Sequence, residues 1–416
     1  MRRASRRSAA VLLISLLLGA PPGAAAAEPA RALTLPECYE LALARSERIA
    51  ISQELIKETE GRFMQAFSGV LPRVSFELSE KREDGDIHTP EQTFTFSQPL
   101  FSGFREFAAL AGSRAERRQR KHEKARAEQL LLLDVSDAFY LLLQLREELG
   151  ALDISRVALL QRIDELRQRE QLGRSRPSEV VSAEAQLRRV EAELVRIQGL
   201  ETTARQLLEF LTGLERIDVV ADDGAAVPSV EEERAYLLKA GVRPDVLAAA
   251  EEAKIQKHER TVAQADLWPD VDLEGNYYTK RVGTSADREW DVLLVMDVPL
   301  FQGGQTVGAI REAASKARQA ALELARVERT AMLEIRKAYL NLQTALVRRA
   351  ALDQARQAAE DDYRFQVEDY RLNLVNNLDV LKSLQALQDA RREAVQARYE
   401  AKRRYWALRV AGGEAL

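Results

Sequence analysis

The chain has 416 residues, of which 46% are hydrophobic and 30% are charged, with a formal net charge of −4, one cysteine and three histidines. A single cysteine excludes an intramolecular disulfide and a zinc site built from several cysteines, and the slightly acidic balance argues against a nucleic-acid partner. After residue 27 no segment approaches the roughly 18 apolar residues that a membrane-spanning helix needs, so a helical membrane protein is excluded.

Residues 1–27 are typical of a secretory signal peptide. A basic start rich in arginine precedes a short apolar run at 11–20, and small residues then allow cleavage after Ala27. The apolar run is too short to serve as a spanning anchor. We therefore expect the chain to be exported and its fold to begin after residue 27.

The rest of the chain repeats itself at an offset of about 200 residues. The Pro-Leu-Phe sequence at 99–101 recurs at 299–301, and further matches follow in the same order at nearly the same offset. An ordered series of this kind indicates an internal duplication. We divide the chain into a first repeat, 28–220, and a second repeat, 221–416, each predicted to contain a helix, a β-hairpin, a long helix and a return helix.

Each repeat contains a segment in which apolar and polar side chains alternate, at about 72–101 and about 269–301. In the first of these, Val74, Phe76 and Leu78 alternate with polar residues. Alternation places the two kinds of side chain on opposite faces of a strand, so both segments are predicted β-hairpins. Their strands of about 10 residues match a tilted strand that crosses a bilayer. One face carries aromatic residues, which suit lipid, and the other carries acidic residues, which suit a water-filled lumen. This pattern favours a membrane hairpin over the alternative, a soluble hairpin packed on helices.

Strands that span lipid cannot leave open edges, and four strands are fewer than the smallest closed membrane barrel of about eight. The barrel must therefore be shared between copies of the chain. Two copies would give about eight strands, filled by side chains, whereas three would give about twelve strands and a pore. We predict the trimer.

Proline-free stretches rich in strong helix formers follow each hairpin. They predict long helices over about 103–172 and 304–372, and return helices over about 177–212 and 377–412. At about 1.5 Å per residue, each long helix extends roughly 100 Å. Apolar residues recur every three or four positions along them, which is typical of supercoiled helices.

A tight reversal joins each long helix to its return helix. Gly173 and Asn373 suit the left-handed residue that ends a helix. Ser178 and Asn377 are candidate N-caps of the return helices, with Pro177 tolerated in the first turn. The residues at the two reversals, called the tip residues below, are Leu172, Gly173, Arg174, Ser175, Leu372, Asn373, Leu374 and Val375.

These features together resemble the outer membrane efflux (TolC-like) family. The resemblance rests on the duplication, on the tip motif of Gly173 or Asn373 with an acidic residue six positions on, and on the strand-to-helix junctions. The junction residues are Pro99, Gly103, Pro299 and Gly303. The implied fold is mostly α with a small β part: a trimeric twelve-stranded outer-membrane β-barrel continued by a long α-helical coiled-coil barrel in the periplasm.

The resemblance also implies a function. The chain is expected to be a passive exit duct in the outer membrane, serving a tripartite efflux pump or a type I secretion system. Its tip residues are expected to contact a periplasmic adaptor (membrane fusion) protein, which joins an inner-membrane RND or ABC pump, while the barrel contacts outer-membrane lipid. A periplasmic coiled-coil adaptor or scaffold without a barrel is the alternative function.

The resemblance further implies that Asp379 lines the closed tunnel entrance, with Glu179 at the equivalent position of the first repeat. Lys382 stands where well-studied members have a second acidic residue. Carboxylates of three Asp379 residues around one axis would attract cations. Alternatively, Asp379 pairs with Lys382 at i,i+3 and only closes a helix end.

No catalytic or cofactor motif stands out in the sequence. The three histidines are isolated, and no nucleophile and base occur in a recognisable order. Gly303 and Gly308 have the spacing of a phosphate loop, but Ala309 stands where that loop requires lysine. We expect no enzyme activity, no cofactor and no metal site.

Overall fold

The computed structural model describes residues 32–83, 87–222, 227, 230–282, 287–414 and 416. The predicted signal peptide, residues 1–27, lies outside the described residues. Among the residues that are described, no helix is both long enough and apolar enough to cross a membrane.

Helices make up most of the described part of the chain, and its four strands lie in two short stretches. The elements in chain order are α1 (Leu35–Arg45), α2 (Glu47–Ser68), β1 (Arg73–Glu83), β2 (Ile87–Ser102), α3 (Arg105–Gln171), α4 (Pro177–Thr212), α5 (Glu233–Lys239), a 3₁₀ turn (Ala240–Val242), α6 (Pro244–Ala265), β3 (Asp270–Lys280), β4 (Trp290–Asp297), α7 (Gln305–Arg371) and α8 (Asn377–Ala411).

Each repeat opens with two helices rather than the predicted one. Ser46 separates α1 from α2, and its side-chain oxygen accepts the Ile49 N–H at 3.4 Å as the N-cap of α2. In the second repeat Pro244 is the first residue of α6. The first N–H of a helix has no partner within that helix, so proline is tolerated there, but it stops the preceding helix from continuing into α6.

The strands form one antiparallel sheet in the order β1-β2-β3-β4, so the two predicted hairpins are joined through β2 and β3. The register places Phe76, Phe94, Tyr277 and Trp290 in a single row across all four strands. Phe76 and Phe94 have ring centroids 4.7 Å apart. Because side chains opposite each other share a face, this aromatic row defines one apolar face of the sheet.

The opposite face is polar and hydrogen-bonded between strands. Thr95 donates to Asn276 Oδ1 at 3.0 Å, and Asn276 Nδ2 donates to Asp291 Oδ1 at 3.0 Å. Leu293 and Val295 of β4 share this face. Residues 292–296 are all apolar, so apolar and polar side chains alternate only at the two ends of β4, around Asp291 and Asp297.

The junctions between strand and helix differ in the two repeats. Pro99 lies within β2, next to a register shift, whereas Pro299 lies beyond the end of β4. A proline has no N–H for the ladder, so a position beside a bulge is one that it can occupy. Gly103 and Phe104 have positive φ angles of 61° and 65°, which delays the start of α3 to Arg105.

The long helix α3 organises the helical part. Its first half packs between α2 and α6, and its second half packs between α4 and α8, while α7 packs mainly on α6 and α8. The largest apolar core lies midway along α3, where Phe139 and Leu142 meet Cys38 of α1 and Leu208 of α4. Burial raises the pKa of the Cys38 thiol to about 11, with a further contribution from the charge of Glu37.

A buried arginine connects the start of α6, the middle of α7 and the end of α8 in the second repeat. Arg243 pairs with Asp245 at 2.6 Å and with Glu334 of α7 at 2.7 Å, and it donates to the Ala411 carbonyl of α8 at 3.1 Å. Burial by itself would raise the pKa of Asp245, but the hydrogen bonds and charge of Arg243, with the charge of Arg126, outweigh burial and lower this pKa.

Candidate functional site

Both reversals end their long helix in the same way. Gly173 and Asn373 adopt left-handed backbone angles, with φ of 69° and 59°. In each tip this residue and the next one, Arg174 or Leu374, donate their N–H groups back to carbonyls of the last helical turn at 2.8 to 3.1 Å. This pair of bonds is a Schellman motif, and it holds each tip in a defined conformation.

The return helix α4 begins without a side-chain cap. Arg176 occupies the N-cap position and Pro177 is the first helical residue. The prediction that Ser178 caps this helix is therefore wrong, because Pro177 already fixes the helical backbone one residue earlier. Instead Ser175 Oγ donates to the carboxylate of Glu179 at 2.8 Å, which holds that acidic side chain over the first turn.

The return helix α8 begins with a capping box. Asn376 Oδ1 accepts the N–H groups of Leu378 and Asp379 at 2.8 and 3.2 Å, and the Asp379 carboxylate accepts the Asn376 N–H at 3.3 Å. The N-cap is thus Asn376 rather than the predicted Asn377. Asp379 closes the helix end through this box. Among the described residues Lys382 is exposed and forms no ion pair with Asp379.

Asn377 instead has a buried side chain, only 1% exposed, that connects the two tips. Arg162 Nε donates to Asn377 Oδ1 at 3.0 Å, and Asn377 Nδ2 donates to the Glu179 carbonyl at 3.4 Å. The Arg162 guanidinium also lies over the Tyr370 ring, 3.7 Å from its centroid. This cluster, the tip joint, links α3, α4, α7 and α8.

An apolar core lies directly behind the tip joint. It includes Leu166, Val180, Tyr370, Val380 and Leu384, which come from all four of those helices. The two tips of one chain therefore form a single packed unit. Moving one tip relative to the other would require breaking this core as well as the tip joint.

The sequence gives one signal for the tip joint that the prediction missed. Arg162 lies three residues after Leu159 and four before Leu166, so it occupies the apolar face of α3. A charged residue at such a position needs a buried partner. Nothing in the local sequence pointed to Tyr370 or Asn377 as that partner, because both are brought there by the packing of distant helices.

The junction glycines have unequal surroundings. A Cβ atom on Gly103 would lie 2.6 Å from the Ala265 carbonyl oxygen and 2.9 Å from the Ala265 Cα, whereas a Cβ on Gly303 would meet nothing within 4 Å. Beside this contact Arg105 pairs with Asp266 at 2.6 Å. The first junction is thereby seated on the end of α6.

Within the described ranges, no group of three or more His, Cys, Asp or Glu side chains is arranged to hold a metal ion. The described structure has a two-faced sheet at one end, one helix of 67 residues in each repeat, and the paired tips at the other end. At about 1.5 Å per residue, roughly 100 Å separates sheet and tips.

Comparisons with known proteins give consistent results. Residues 38–214 and 240–414 match the family described as outer membrane efflux protein. Outer membrane protein TolC of Vibrio cholerae is 23% identical over 317 residues, which cover 73% of this chain and 72% of that protein. Alkaline protease secretion protein AprF of Pseudomonas aeruginosa is 24% identical over 422 residues, which cover 90% of this chain and 83% of that protein.

Among solved structures, the outer membrane protein VceC of Vibrio cholerae is similar with a TM-score of 0.81 at 21% identity, covering 91% of this chain and 96% of that one. The residues matched by the family include both tips, Asp379 and both junction glycines.

Proposed function

Because the chain belongs to the outer membrane efflux protein family, we propose that it is a passive exit duct through the outer membrane. The observation that carries this proposal is the sheet, whose aromatic row crosses the four described strands on one face while the other face is polar apart from Leu293 and Val295 of β4. Lipid on one side and a water-filled lumen on the other satisfy both faces. A coiled-coil adaptor or scaffold without a barrel would leave the apolar face uncovered.

The edges of the sheet support assembly from several copies. Within one chain β1 and β4 each pair on one side only. Lipid does not tolerate such open edges, so β4 of one copy must pair with β1 of the next. Three copies close a barrel of about twelve strands, which is wide enough for a lumen, whereas about eight strands would be filled by side chains.

The duct needs an external source of energy, since the sequence carries no nucleotide-binding loop. We infer that an inner-membrane RND or ABC pump supplies it and that a periplasmic adaptor protein meets the tip residues. The relative AprF is an alkaline protease secretion protein by name, which supports type I secretion as one use of such a duct. Efflux of small molecules is the other.

The experiment that tests the duct uses the full-length protein extracted from outer membranes in detergent. We expect a trimer by light scattering, and stepwise conductance after insertion into a planar lipid bilayer. A monomer that gives no conductance, or recovery of the protein in the soluble periplasmic fraction, would refute the proposal.

The tunnel entrance is a separate proposal. Asp379 uses one carboxylate oxygen for the Asn376 N–H, and Glu179 is held by Ser175, so both charges are fixed close to the tips. We propose that Asp379 faces the lumen of the trimer, where three carboxylates around one axis favour cations. Lys382, one helical turn further on, moderates this charge.

Asp379→Asn tests the entrance with little disturbance, because the amide oxygen can still accept the Asn376 N–H of the capping box. We expect the cation preference of single channels, measured from the reversal potential in a salt gradient, to fall. Glu179→Gln makes the same change at the equivalent position of the first repeat and shows which of the two carboxylates sets the preference. Unchanged selectivity in Asp379→Asn would remove Asp379 from the lumen.

A further inference from the structure

The polar face of the sheet carries one large aromatic side chain, Tyr278 of β3. Tyr278 pairs with Thr93 of β2 and shares its face with Asn276 and Asp291. Within the described strands every other aromatic side chain follows the register of the apolar face. In the proposed duct the polar face borders the lumen, so Tyr278 is the aromatic side chain of the sheet that could narrow it.

Hydrogen bonds tie Tyr278 to the wall of the sheet. Its hydroxyl donates to Asp291 Oδ2 at 2.8 Å. Asp291 Oδ1 accepts Asn276 Nδ2 at 3.0 Å, and Asn276 Oδ1 accepts the Thr95 hydroxyl at 3.0 Å. These bonds run from β2 through β3 to β4, along the sheet. A tyrosine whose hydroxyl is bound to the neighbouring strand lies along the wall and cannot at the same time extend into the lumen.

An irregularity of the sheet places an arginine beside the same ring. The register between β2 and β3 shifts at this point, which leaves Thr279 as an extra residue of β3. In a regular strand residues 278 and 281 would lie on opposite faces, whereas one extra residue between them brings both to the same face. The Arg281 guanidinium lies over the Tyr278 ring, with its carbon 4.1 Å from the ring centroid.

Arg281 is itself held on its other side. Its Nε lies 3.9 Å from Glu91 Oε1, which also accepts the Thr93 hydroxyl at 3.4 Å. A cation over the face of an aromatic ring is attracted to that ring. Tyr278 is therefore held both at its hydroxyl and across its face. The residues that hold it and the ring itself are called the wall cluster: Thr95, Asn276, Tyr278, Arg281 and Asp291.

We propose that Asp291 is a positioning residue that keeps the extracellular end of the lumen wide by holding Tyr278 against the wall. This inference rests on the proposed function, in which the strand ends away from the helices face the outside. Three copies of the chain place three such rings around one lumen. Held rings leave room for bulky hydrated solutes such as an extended polypeptide, whereas released rings narrow the exit.

The alternative role for Tyr278 is a plug that obstructs the exit. A plug needs a ring that is free to extend into the lumen, and it would have to break the bond to Asp291 and leave Arg281. The two roles predict different effects of removing the ring. Removal leaves the width of the exit unchanged if the ring already lies against the wall, and widens it if the ring is a plug.

The test measures how easily a large reagent passes the wall cluster from outside the cell. Ser97→Cys supplies the target, because Ser97 lies on the polar face nearer the helices, opposite Glu274 of β3. Intact cells are treated with two membrane-impermeant methanethiosulfonates, one small and one attached to the largest polyethylene glycol that still labels Ser97→Cys. Cys38 does not compete, because it is 0% exposed. The ratio of the polymer rate to the small-reagent rate cancels changes in the reactivity of the thiol.

Addition of Asp291→Ala should lower this ratio at least ~5-fold, because loss of a hydrogen bond to a carboxylate releases the rings. Addition of Tyr278→Ala to that variant should restore the ratio. Asp297→Ala is the matched control, since it removes the same charge from the same face of β4, at the end away from Tyr278, and should leave the ratio unchanged. Tyr278→Ala alone, which tests the same point if Asp291→Ala does not assemble, should also leave it unchanged.

A higher ratio in Tyr278→Ala would show that the ring obstructs the exit and would overturn the proposal. So would an unchanged ratio in Asp291→Ala, or a lowered ratio that Tyr278→Ala does not restore. If the small reagent also fails to label Ser97→Cys, the polar face does not border a lumen, and the proposed duct is refuted together with this role. Labelling by the small reagent with ratios that depart from these expectations refutes the role of Asp291 alone.

Discussion

Replacement of Gly103 by alanine should damage the protein much more than the equivalent replacement of Gly303. The two glycines occupy matching positions of the duplicated sequence, and both have a φ of 61°. A Cβ at Gly103 would lie 2.6 Å from the backbone oxygen of Ala265, at the end of α6, whereas a Cβ at Gly303 has open space. Duplication alone would predict equal effects.

The magnitudes follow from these contacts. A left-handed conformation costs a residue with a Cβ about 1–2 kcal/mol, and both variants incur this cost. Gly103→Ala must also move backbone at Ala265, since no flexible side chain can yield, and such overpacking costs about 1–3 kcal/mol more. We therefore expect about 2–5 kcal/mol for Gly103→Ala and about 1–2 kcal/mol for Gly303→Ala.

Hydrogen exchange of the purified protein measures this difference locally. Amides in the first turn of α3 and the last turn of α6 should exchange about 5- to 150-fold faster in Gly103→Ala than the corresponding amides of α7 do in Gly303→Ala. If exchange in the two variants is equally fast, or faster in Gly303→Ala, then close packing of Gly103 on α6 is not what constrains the first junction.

Three further predictions use the helical part. Cys38, buried and with a pKa of about 11, should resist thiol reagents near pH 8 until denaturant is added; rapid labelling of the native protein would contradict its burial. Asp245 has a lowered pKa, so its contribution to stability is complete at neutral pH and lost only as pH falls below about 4. Lowering the pH below about 4 should therefore reduce the free energy of unfolding of the wild type more than that of Asp245→Asn. An equal reduction in both proteins would argue against the buried pair of Asp245 and Arg243. Arg162→Met should speed exchange around both tips at least ~10-fold, because it leaves Asn377 buried without its donor. Arg156→Met, which removes only an exposed i,i+3 pair, should change exchange little, and similar effects of the two variants would refute the tip joint.

Local sequence patterns were sufficient for the main elements of the fold. The alternation in 72–101 and 269–301 and the proline-free stretches predicted strands and long helices where the structure has them. Both signals are local, because the spacing of apolar side chains and the backbone constraint of a proline each depend on only a few neighbouring residues. The left-handed residues Gly173 and Asn373 were also predicted correctly. The N-caps were not: Asn376 caps α8 one residue before the predicted Asn377, and α4 begins at Pro177 without the side-chain cap predicted from Ser178.

What the sequence could not predict depends on contacts between distant segments. Arg162 and Asn377 are 215 residues apart, and no local rule relates an arginine on one helix to an asparagine on another. The seating of Gly103 on Ala265 is of the same kind. Such contacts arise only after the two repeats have packed together, so they require the three-dimensional arrangement.

The unequal burial of the two long helices gives independent support for a ring of copies. Helix α3 is covered on both sides within its own chain, by α2 and α6 and then by α4 and α8. Helix α7 has the same length but leaves large apolar side chains such as Leu322, Leu340 and Val347 more than half exposed. Exposure of such an apolar stripe to water is unfavourable in free energy. If β4 of one copy pairs with β1 of the next, the neighbour's first repeat lies beside α7 and can cover this stripe. The same arrangement of neighbouring copies would therefore satisfy both the open strand edges and the uncovered helix.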